Sequence, residues 1–340
     1  GDYYVQVGSS GTELAFEWYP DRPSFDGAVA VAVVSDQQTP LSFALEIGGT
    51  LSGTVTDQDG QPLEGIRVIA NHKSGDIFGQ DPSYGEDGFD HTAADGTYTI
   101  TALGAQGYLI HFGEGSAYIE EYYNDKLGLA TADPVAVALG VATTGIDVSL
   151  QLGGAIEGIV TDAVSGEPVP DLFVSAYVPG ESGTPGFRDG SVTLVDGSYR
   201  LEGLKTGSFV LQGQDLGNNV YAGFFHGGDT EQSARRLSVI VGETVSLDLT
   251  ATLRFTDANT SVFREDVKWL AVEGITTGCG SSLFCVDKSV TRGQMAAFLT
   301  RALELPATTT DFFTDDDASI FESDIKRVAA AGITLGCNPP

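Results

Sequence analysis

The chain reads Gly48-Gly-Thr-Leu-Ser-Gly-Thr-Val-Thr-Asp57 and repeats this pattern, 105 residues later, as Gly153-Gly-Ala-Ile-Glu-Gly-Ile-Val-Thr-Asp162. In both segments the side chains alternate in character, which predicts a β-strand. A second shared segment, Asp95-Gly-Thr-Tyr-Thr-Ile100, recurs as Asp196-Gly-Ser-Tyr-Arg-Leu201. Asp-Gly is a strong signal for a tight turn between strands. Short alternating strands between glycine-rich turns predict tandem antiparallel β-sandwich modules.

These repeats set the expected domain boundaries. Each copy closes on a strand of period 2, at residues 146–150 and 245–249. We therefore predict one β-sandwich module over residues 48–152 and another over residues 153–252.

The first 47 residues resemble the second half of a module. Residues 3–7 align with residues 108–112, and residues 17–21 align with residues 121–125. We expect residues 1–47 to be the back half of a third copy. A half-sandwich leaves apolar faces and strand edges uncovered, so neighbouring modules of a longer chain, or other copies in a polymer, are expected to cover them.

Composition excludes several classes of function. The 340 residues include 47 acidic and 17 basic side chains, which gives a net charge of −30. Nucleic-acid binding needs a basic surface, and so does attraction to an anionic membrane. Hydrophobic residues make up 41% of the chain, enough for real cores, but no apolar run approaches the ~18 residues of a membrane span. We expect neither nucleic-acid partners nor membrane insertion.

The β-modules resemble the carboxypeptidase-regulatory-like and Cna-B-type domains of bacterial surface proteins. The residues that carry the resemblance are Gly-x-Val-Thr-Asp, the turn Pro62-Leu-Glu-Gly65, a Val-x-Val strand and Asp-Gly-x-Tyr. The resemblance implies an Ig-like or prealbumin-like sandwich located outside the cell. Tyr98 and Tyr199 are expected at corners of the modules, where their rings can fill the core.

Beyond residue 252 the hydrophobic period changes from 2 to 3.6, which predicts α-helices. Apolar residues recur at helical spacing in three stretches, and the clearest stripe consists of Met295, Phe298, Leu299, Ala302 and Leu303. Such a stripe is typical of an amphipathic helix. Thr291 and Gln294 have the spacing of a capping box, and so do Ser319 and Glu322.

This helical region also repeats, with an offset of 58 residues. Phe255-Thr-Asp257 recurs as Phe313-Thr-Asp315, and Gly274-Ile-Thr-Thr-Gly-Cys279 recurs as Gly332-Ile-Thr-Leu-Gly-Cys337. Together with Val290-Thr-Arg-Gly-Gln-Met295, these segments resemble S-layer homology domains. Residues 253–340 are then expected to hold one complete repeat and a truncated second one.

The S-layer homology resemblance implies a binding site for cell-wall polysaccharide. Family members often bind through a Thr-Arg-Ala-Glu-like motif at the start of the second helix, where this chain has Thr-Arg-Gly-Gln. Carried over residue by residue, the resemblance implicates Thr291 and Arg292, with Gly278 in the preceding loop. The simpler interpretations are a helix cap for Thr291 and a solvated or locally paired first-turn arginine for Arg292. Trp269 is expected in the core, the alternative being a platform for a sugar ring.

Cysteine spacing predicts one disulfide. Cys279 and Cys285 are six positions apart around a Gly-Ser-Ser turn, which suits a small loop in an exported protein. The alternatives are two free thiols or half of a metal site. The 58-residue offset places the partner of Cys337 at position 343, so the last repeat is expected to be cut off.

Signals for catalysis and cofactors are weak. The four histidines have no metal-ligand spacing, and no nucleophile–base pair is recognisable. We therefore expect no enzyme, no cofactor and no transition-metal site. Asp57-x-Asp59-Gly60 and Asp315-Asp-Asp317 offer hard oxygen ligands for calcium, although turns capped by the aspartate side chains explain them more simply.

Two functions remain open. The leading expectation is a structural, extracellular surface protein, a β-sandwich stalk or filament subunit attached to the cell envelope through S-layer homology repeats that bind cell-wall polysaccharide. The alternative is that the β-modules are carbohydrate-binding or adhesin modules of a larger secreted protein or enzyme. In that case aromatic side chains would stack on sugar rings, and the candidates are Trp18, Tyr19, Tyr122 and Tyr123.

Overall fold

A computed structural model describes residues 1–8, 12–23, 27–73, 84–179, 186–217 and 220–336 of the chain. The chain divides into two compact units. The first consists of Gly1–Ala155, Glu202–Gly207 and Ser238–Val245, and the second of Ile156–Leu201, Ser208–Leu237 and Ser246–Pro340.

The fold is mainly β, as predicted. The strands up to residue 150 are β1 Asp2–Tyr3, β2 Gln6–Val7, β3 Glu17–Trp18, β4 Val31–Ala32, β5 Gly49–Asp57, β6 Arg67–Lys73, β7 Tyr84–His91, β8 Thr97–Leu103, β9 Gly107–Phe112, β10 Glu121–Tyr122, β11 Val135–Ala136, β12 Ala142–Thr143 and β13 Val148–Leu150. The later strands are β14 Gly154–Asp162, β15 Phe173–Val178, β16 Gly186–Val192, β17 Ser198–Leu204, β18 Gly207–Gln214, β19 Phe224–Phe225, β20 Leu237–Val239, β21 Thr244–Ser246 and β22 Leu249–Ala251. A short 3-10 helix covers Leu129–Thr131.

The strands of residues 48–152 form two sheets. One has the order β10-β9-β6-β7, with β11 also on β9, and the other contains β12, β5, β13 and β8. Alternate residues of both sheets point into one core, whose largest fully buried side chains include Tyr108, Phe112, Leu51 and Leu150. The sandwich therefore follows from the period-2 pattern of its strands.

The closing strand of each module adds a parallel pairing that alternation alone does not reveal. Val148 lies opposite Val55 as β13 runs parallel to β5, and Leu249 lies opposite Val160 as β22 runs parallel to β14. The short strand β12 also runs parallel to β5, whereas pairs such as β6 and β9 are antiparallel.

The glycine of the Gly-x-Val-Thr-Asp segment is explained by this closing strand. A Cβ at Gly53 would overlap the carbonyl oxygen of Ile146, and a Cβ at Gly158 would overlap that of Leu247. Only a residue without a side chain lets the two backbones approach this closely.

The tyrosines of the Asp-Gly-x-Tyr segments lie where the sequence places them. Tyr98 and Tyr199 are buried, and their hydroxyl groups donate hydrogen bonds to the carbonyl oxygens of Ile146 and Leu247, each at 2.7 Å. Burial raises the pKa of both phenols well above the usual value. Each tyrosine therefore fastens a sheet corner to the closing segment of its module.

The first 47 residues repeat the strand pairing of a complete module. Val7 pairs with Glu17 between β2 and β3, as Phe112 pairs with Glu121 between β9 and β10. Similarly, β1 pairs antiparallel with β4, as β9 does with β11. This register matches the sequence alignment of the two segments.

Within the described residues, α-helices occur only in the C-terminal region, as α1 Arg264–Val272, α2 Arg292–Ala302 and α3 Glu322–Ala330. The apolar stripe of α2 is not its buried face, because Met295 and Leu303 are exposed whereas Ala296, Ala297 and Thr300 are buried. Thr300 donates a hydrogen bond from its hydroxyl group to the carbonyl oxygen of Asp324 on α3. The small alanines let α2 pack closely, so its larger apolar residues are left to line a cavity.

Candidate functional site

The start of α2 carries the residues that the sequence singles out. The Thr291 hydroxyl accepts a hydrogen bond from the backbone N–H of Gln294, and the Gln294 side chain accepts one from the N–H of Thr291. The predicted capping box is therefore formed. It fixes the first turn of α2 and places Arg292 at the first helical position, where its side chain is exposed.

Thr291 and Arg292 line a cavity of about 530 Å³, called here the Arg292 cavity. Its walls come from α2, α3 and the loops on either side of α3. Apolar side chains dominate the lining, namely Met295, Leu299, Phe313, Phe321, Ile325, Val328 and Ile333. Asp315 and Asp316 also line the cavity, and their charge is opposite in sign to that of Arg292.

Gly278, the third residue implicated by the resemblance, does not line this cavity. It has a φ of +80°, and a Cβ there would meet the carbonyl oxygen of Leu283 and the ring of Phe255, both at 2.5 Å. Its counterpart 58 residues later, Gly336, does line the Arg292 cavity. The cavity thus combines the α2 start of the first repeat with the glycine loop of the second.

The departure from Thr-Arg-Ala-Glu has a steric reason in this chain. A Cβ at Gly293 would lie 2.7 Å from the Phe321 ring, which packs against the first turn of α2. An alanine at this position requires the ring to move. The sequence alone gives no sign of this contact, because 28 residues separate the two positions.

The loop before α2 contains the predicted disulfide. Cys279 and Cys285 are bonded, with their Cα atoms 6.0 Å apart. The carboxylate of Asp257 accepts hydrogen bonds from the backbone N–H groups of Phe284, Cys285 and Val286. Burial works against ionisation of Asp257, but these N–H groups outweigh it and lower its pKa. Cys337 lies outside the described residues.

A polar cluster that sequence reasoning missed lies in the second unit. One guanidinium nitrogen of Arg264 on α1 donates to both carboxylate oxygens of Asp162, at 2.6 and 2.5 Å. The Tyr221 hydroxyl donates to the same carboxylate at 3.2 Å. The Asp162 side chain is fully buried and that of Arg264 is only 5% exposed. Burial opposes the charge of Asp162, but Arg264 and two backbone N–H groups lower its pKa to about 2.

Two of the four aromatic candidates for sugar stacking pack against other residues of the first module. The Tyr122 ring stacks on His111 with centroids 4.7 Å apart, and Tyr123 packs against the module core. Trp18 and Tyr19 are half-buried. The expectation for Trp269 is wrong, because its side chain is 56% exposed on the face of α1 opposite Val267 and Ala271.

The acidic segments differ in their environment. Asp57 accepts hydrogen bonds from the backbone N–H groups of Asp59 and Gln61, so it caps its own turn. Among the described residues, one group of carboxylates has the geometry of a cation site, formed by Asp311, Asp316 and Asp317. Asp315 lies outside this group.

The family model described as "S-layer homology domain" matches residues 254–296. The match covers α1, the disulfide loop, Thr291 and Arg292. It confirms the S-layer homology domain identified from the sequence and associates the chain with the cell surface. None of the helices in the described part of the chain has the length and apolar character that crossing a bilayer requires.

Several solved structures resemble the chain loosely. The TIE protein of Bacillus anthracis is 14% identical, with 61% of this chain and 34% of that chain covered and a TM-score of 0.24. A Streptococcal ancillary pilin is 16% identical over 74% of this chain and 75% of that chain, with a TM-score of 0.26. The shaft pilin SpaA of Lactobacillus rhamnosus GG is 13% identical over 61% of this chain and 98% of that chain, with a TM-score of 0.25.

The chain thus spans about a third of the TIE chain. No curated protein matches the chain significantly.

Proposed function

We propose that the chain is a structural, extracellular surface protein whose S-layer homology region binds a cell-wall polysaccharide and whose β-modules form a stalk. The family match at residues 254–296 carries the proposal. The proposed modules are those predicted from the sequence repeats, with boundaries at residues 47, 152 and 252. The Cys279–Cys285 disulfide supports a location in an oxidising compartment.

The Arg292 cavity is the proposed polysaccharide site. A volume of about 530 Å³ is typical of a ligand pocket. The exposed guanidinium of Arg292 lies beside the N-terminus of α2, an arrangement suited to a carboxylate or phosphate group on a sugar. The rings of Phe313 and Phe321 offer apolar surface to the C–H faces of sugar rings. We infer an acidic polysaccharide as the ligand class.

Co-sedimentation with purified cell-wall polymer tests this proposal. Arg292→Ala should weaken binding about tenfold or more, because a charge-assisted hydrogen bond contributes about 1.5–3 kcal/mol. Arg292→Lys should recover part of the loss, since lysine keeps the charge without the planar fork. The matched control is Arg236→Ala, which removes an exposed arginine that does not line the cavity. Wild-type binding by Arg292→Ala, or no sedimentation of the wild type, would contradict the proposal.

The proposed partners of the stalk are neighbouring β-modules, belonging either to a longer chain or to other copies of this chain. Denaturing mass measurement and electron microscopy of native material separate the two. A denatured mass far above 35.6 kDa indicates a longer chain, and filaments that dissolve into 35.6 kDa chains indicate a polymer. A discrete native monomer of 35.6 kDa contradicts both.

A further inference from the structure

Asp316 is a buried carboxylate without a hydrogen-bond partner. Its side chain lies in the loop before α3, the residue is only 7% exposed, and neither carboxylate oxygen accepts a hydrogen bond from the protein. An ionised group removed from water without a partner is strongly destabilising. A buried acid of this kind calls for a ligand that supplies the missing positive charge.

The fold itself does not require an acid at this position. The counterpart of Asp316 in the first repeat, 58 residues earlier, is Ala258, which is fully buried. The same loop therefore packs with a methyl group in one copy and a carboxylate in the other. The positions of Asp311 and Asp317 correspond to Leu253 and Asn259, so the first repeat has none of the three acids.

The three acids of the second repeat converge on one point. One ligand oxygen from each of Asp311, Asp316 and Asp317 lies within 4.8 Å of the others. Calcium takes six to eight oxygen ligands and is commonly held by several protein carboxylates, whereas magnesium keeps several waters and is usually held by one or two carboxylates together with substrate phosphates. Three converging carboxylates therefore suit calcium better than magnesium.

The neighbouring basic group does not balance these acids. The ammonium of Lys326 lies 3.9 Å from Asp311 and also pairs with Glu322. Two acids therefore share this one ammonium, and neither oxygen of Asp316 accepts a hydrogen bond from it.

We propose that Asp311, Asp316 and Asp317 form a calcium site in the loop that precedes α3. The three carboxylates supply hard oxygen ligands and water completes the coordination sphere. Bound calcium would tie the segment at Asp311 to the first turn before α3, beside the Arg292 cavity that Asp316 also lines.

Calorimetric titration of the full 340-residue chain with calcium chloride, after removal of metals with EDTA and in 0.15 M sodium chloride, tests the site. We expect one-site binding with a Kd of about 10⁻⁴–10⁻³ M, typical of extracellular modules. Asp316→Ala should weaken binding about tenfold or more while the chain still folds, because Ala258 occupies the same position in the first repeat. Asp316→Asn, which keeps the shape of the side chain, should have the same effect.

The matched control is Asp287→Ala, which removes an exposed acid of the first repeat and should leave the Kd unchanged. It separates specific binding from general attraction of calcium to a chain of net charge −30. Calcium should also raise the melting temperature of the wild type and of Asp287→Ala, but not that of Asp316→Ala. Absence of binding up to about 10 mM calcium, or unchanged calcium binding by Asp316→Ala, would overturn the proposal. It would also be overturned if the difference in melting temperature between Asp316→Ala and the wild type were the same in EDTA and in calcium.

Discussion

The two β-modules share an opening strand, a turn and a core tyrosine, but the last residue of the repeated strand has a different role in each. The carboxylate of Asp57 in the first module accepts hydrogen bonds from its own turn, at Asp59 and Gln61. Asp162 accepts the corresponding bonds from Val164 and Ser165 and also binds the guanidinium of Arg264. The aspartate thus caps a turn in both modules, and in the second module it also binds an arginine of the helical region.

Removal of Arg264 should produce the largest difference between the modules. Arg264→Ala leaves the buried Asp162 carboxylate without its hydrogen-bonded cation, and the Lys268 ammonium remains only at 3.9 Å. We therefore expect the free energy of unfolding of the second unit to fall by about 3–5 kcal/mol. The chain has two tryptophans, and Trp269 lies on α1. Denaturant titration followed by Trp269 fluorescence, in a Trp18→Phe background, measures the effect.

The control for this prediction is Asp57→Ala in the first module, followed by calorimetry because Trp269 lies in the second unit. The substitution removes hydrogen bonds of a turn and leaves no buried charge without its partner, so we expect the free energy of unfolding to fall by about 1 kcal/mol. Equal losses for Arg264→Ala and Asp57→Ala would show that the two aspartates have the same role.

Acid should weaken the second unit more than the first. The pKa of Asp162 is lowered to about 2 in the folded state, whereas an unfolded aspartate titrates near pH 3.9. The stabilisation is therefore complete above about pH 4 and is lost as the pH falls through about 2, and it amounts to about 2–3 kcal/mol. Denaturant titrations at pH 5 and pH 2.5 should show this loss in the wild type, and the Asp162→Asn, Arg264→Met double variant should lack it. The same pH dependence in both would exclude Asp162 as the cause.

The glycines of the repeated strand should respond alike in both modules. Gly53→Ala and Gly158→Ala each place a Cβ against a carbonyl oxygen of the closing segment, so we expect a loss of about 2 kcal/mol for each. The control is Gly65→Ala, where no atom lies within 4 Å of the added Cβ but φ is +77°. Because alanine adopts a positive φ only with strain, we expect Gly65→Ala to lower the free energy of unfolding by about 1 kcal/mol. A clear difference between Gly53→Ala and Gly158→Ala, measured by thermal unfolding, would contradict the equivalence of the two closing strands.

The smallest expected effect comes from the corner tyrosines. Tyr98→Phe and Tyr199→Phe keep the buried ring but remove the hydrogen bond to Ile146 or Leu247. Each should cost about 1 kcal/mol, because one buried carbonyl oxygen loses its donor. Calorimetry that shows no change for either variant would mean that water replaces the lost hydroxyl group.

Short-range features of the molecule could be predicted from the sequence. Alternation of apolar and polar residues predicts the strands, Asp-Gly-x-Tyr predicts the tyrosines at the sheet corners, and the spacing of Cys279 and Cys285 predicts the disulfide. Each of these features depends on residues that are close together in the sequence. The cap at Thr291 is formed for the same reason. The similar spacing at Ser319 is misleading: its hydroxyl accepts a hydrogen bond from the N–H of Phe321, and α3 begins without a side-chain cap.

Contacts between distant segments could not be predicted. Arg264 and Asp162 are 102 residues apart, and no periodic signal connects them. Hydrophobic periodicity also missed the closely packed face of α2, because alanine contributes little to an apolar stripe although it permits the closest approach of helices. The sequence offers Asp315–Asp317 as a capped turn or as calcium ligands, and only the fold shows that Asp316 is buried and that Asp311 lies beside it.

The parallel pairing of each module's first and last strands determines how the module responds to tension. When the chain is pulled at Gly49 and at Leu150, β5 and β13 are drawn past each other along their common axis. The hydrogen bonds along Val148, Ser149 and Leu150 are then loaded together in shear, instead of opening one after another. Forced unfolding depends on the rate of this first rupture. The strands β14 and β22 place the same mechanical clamp in the next module.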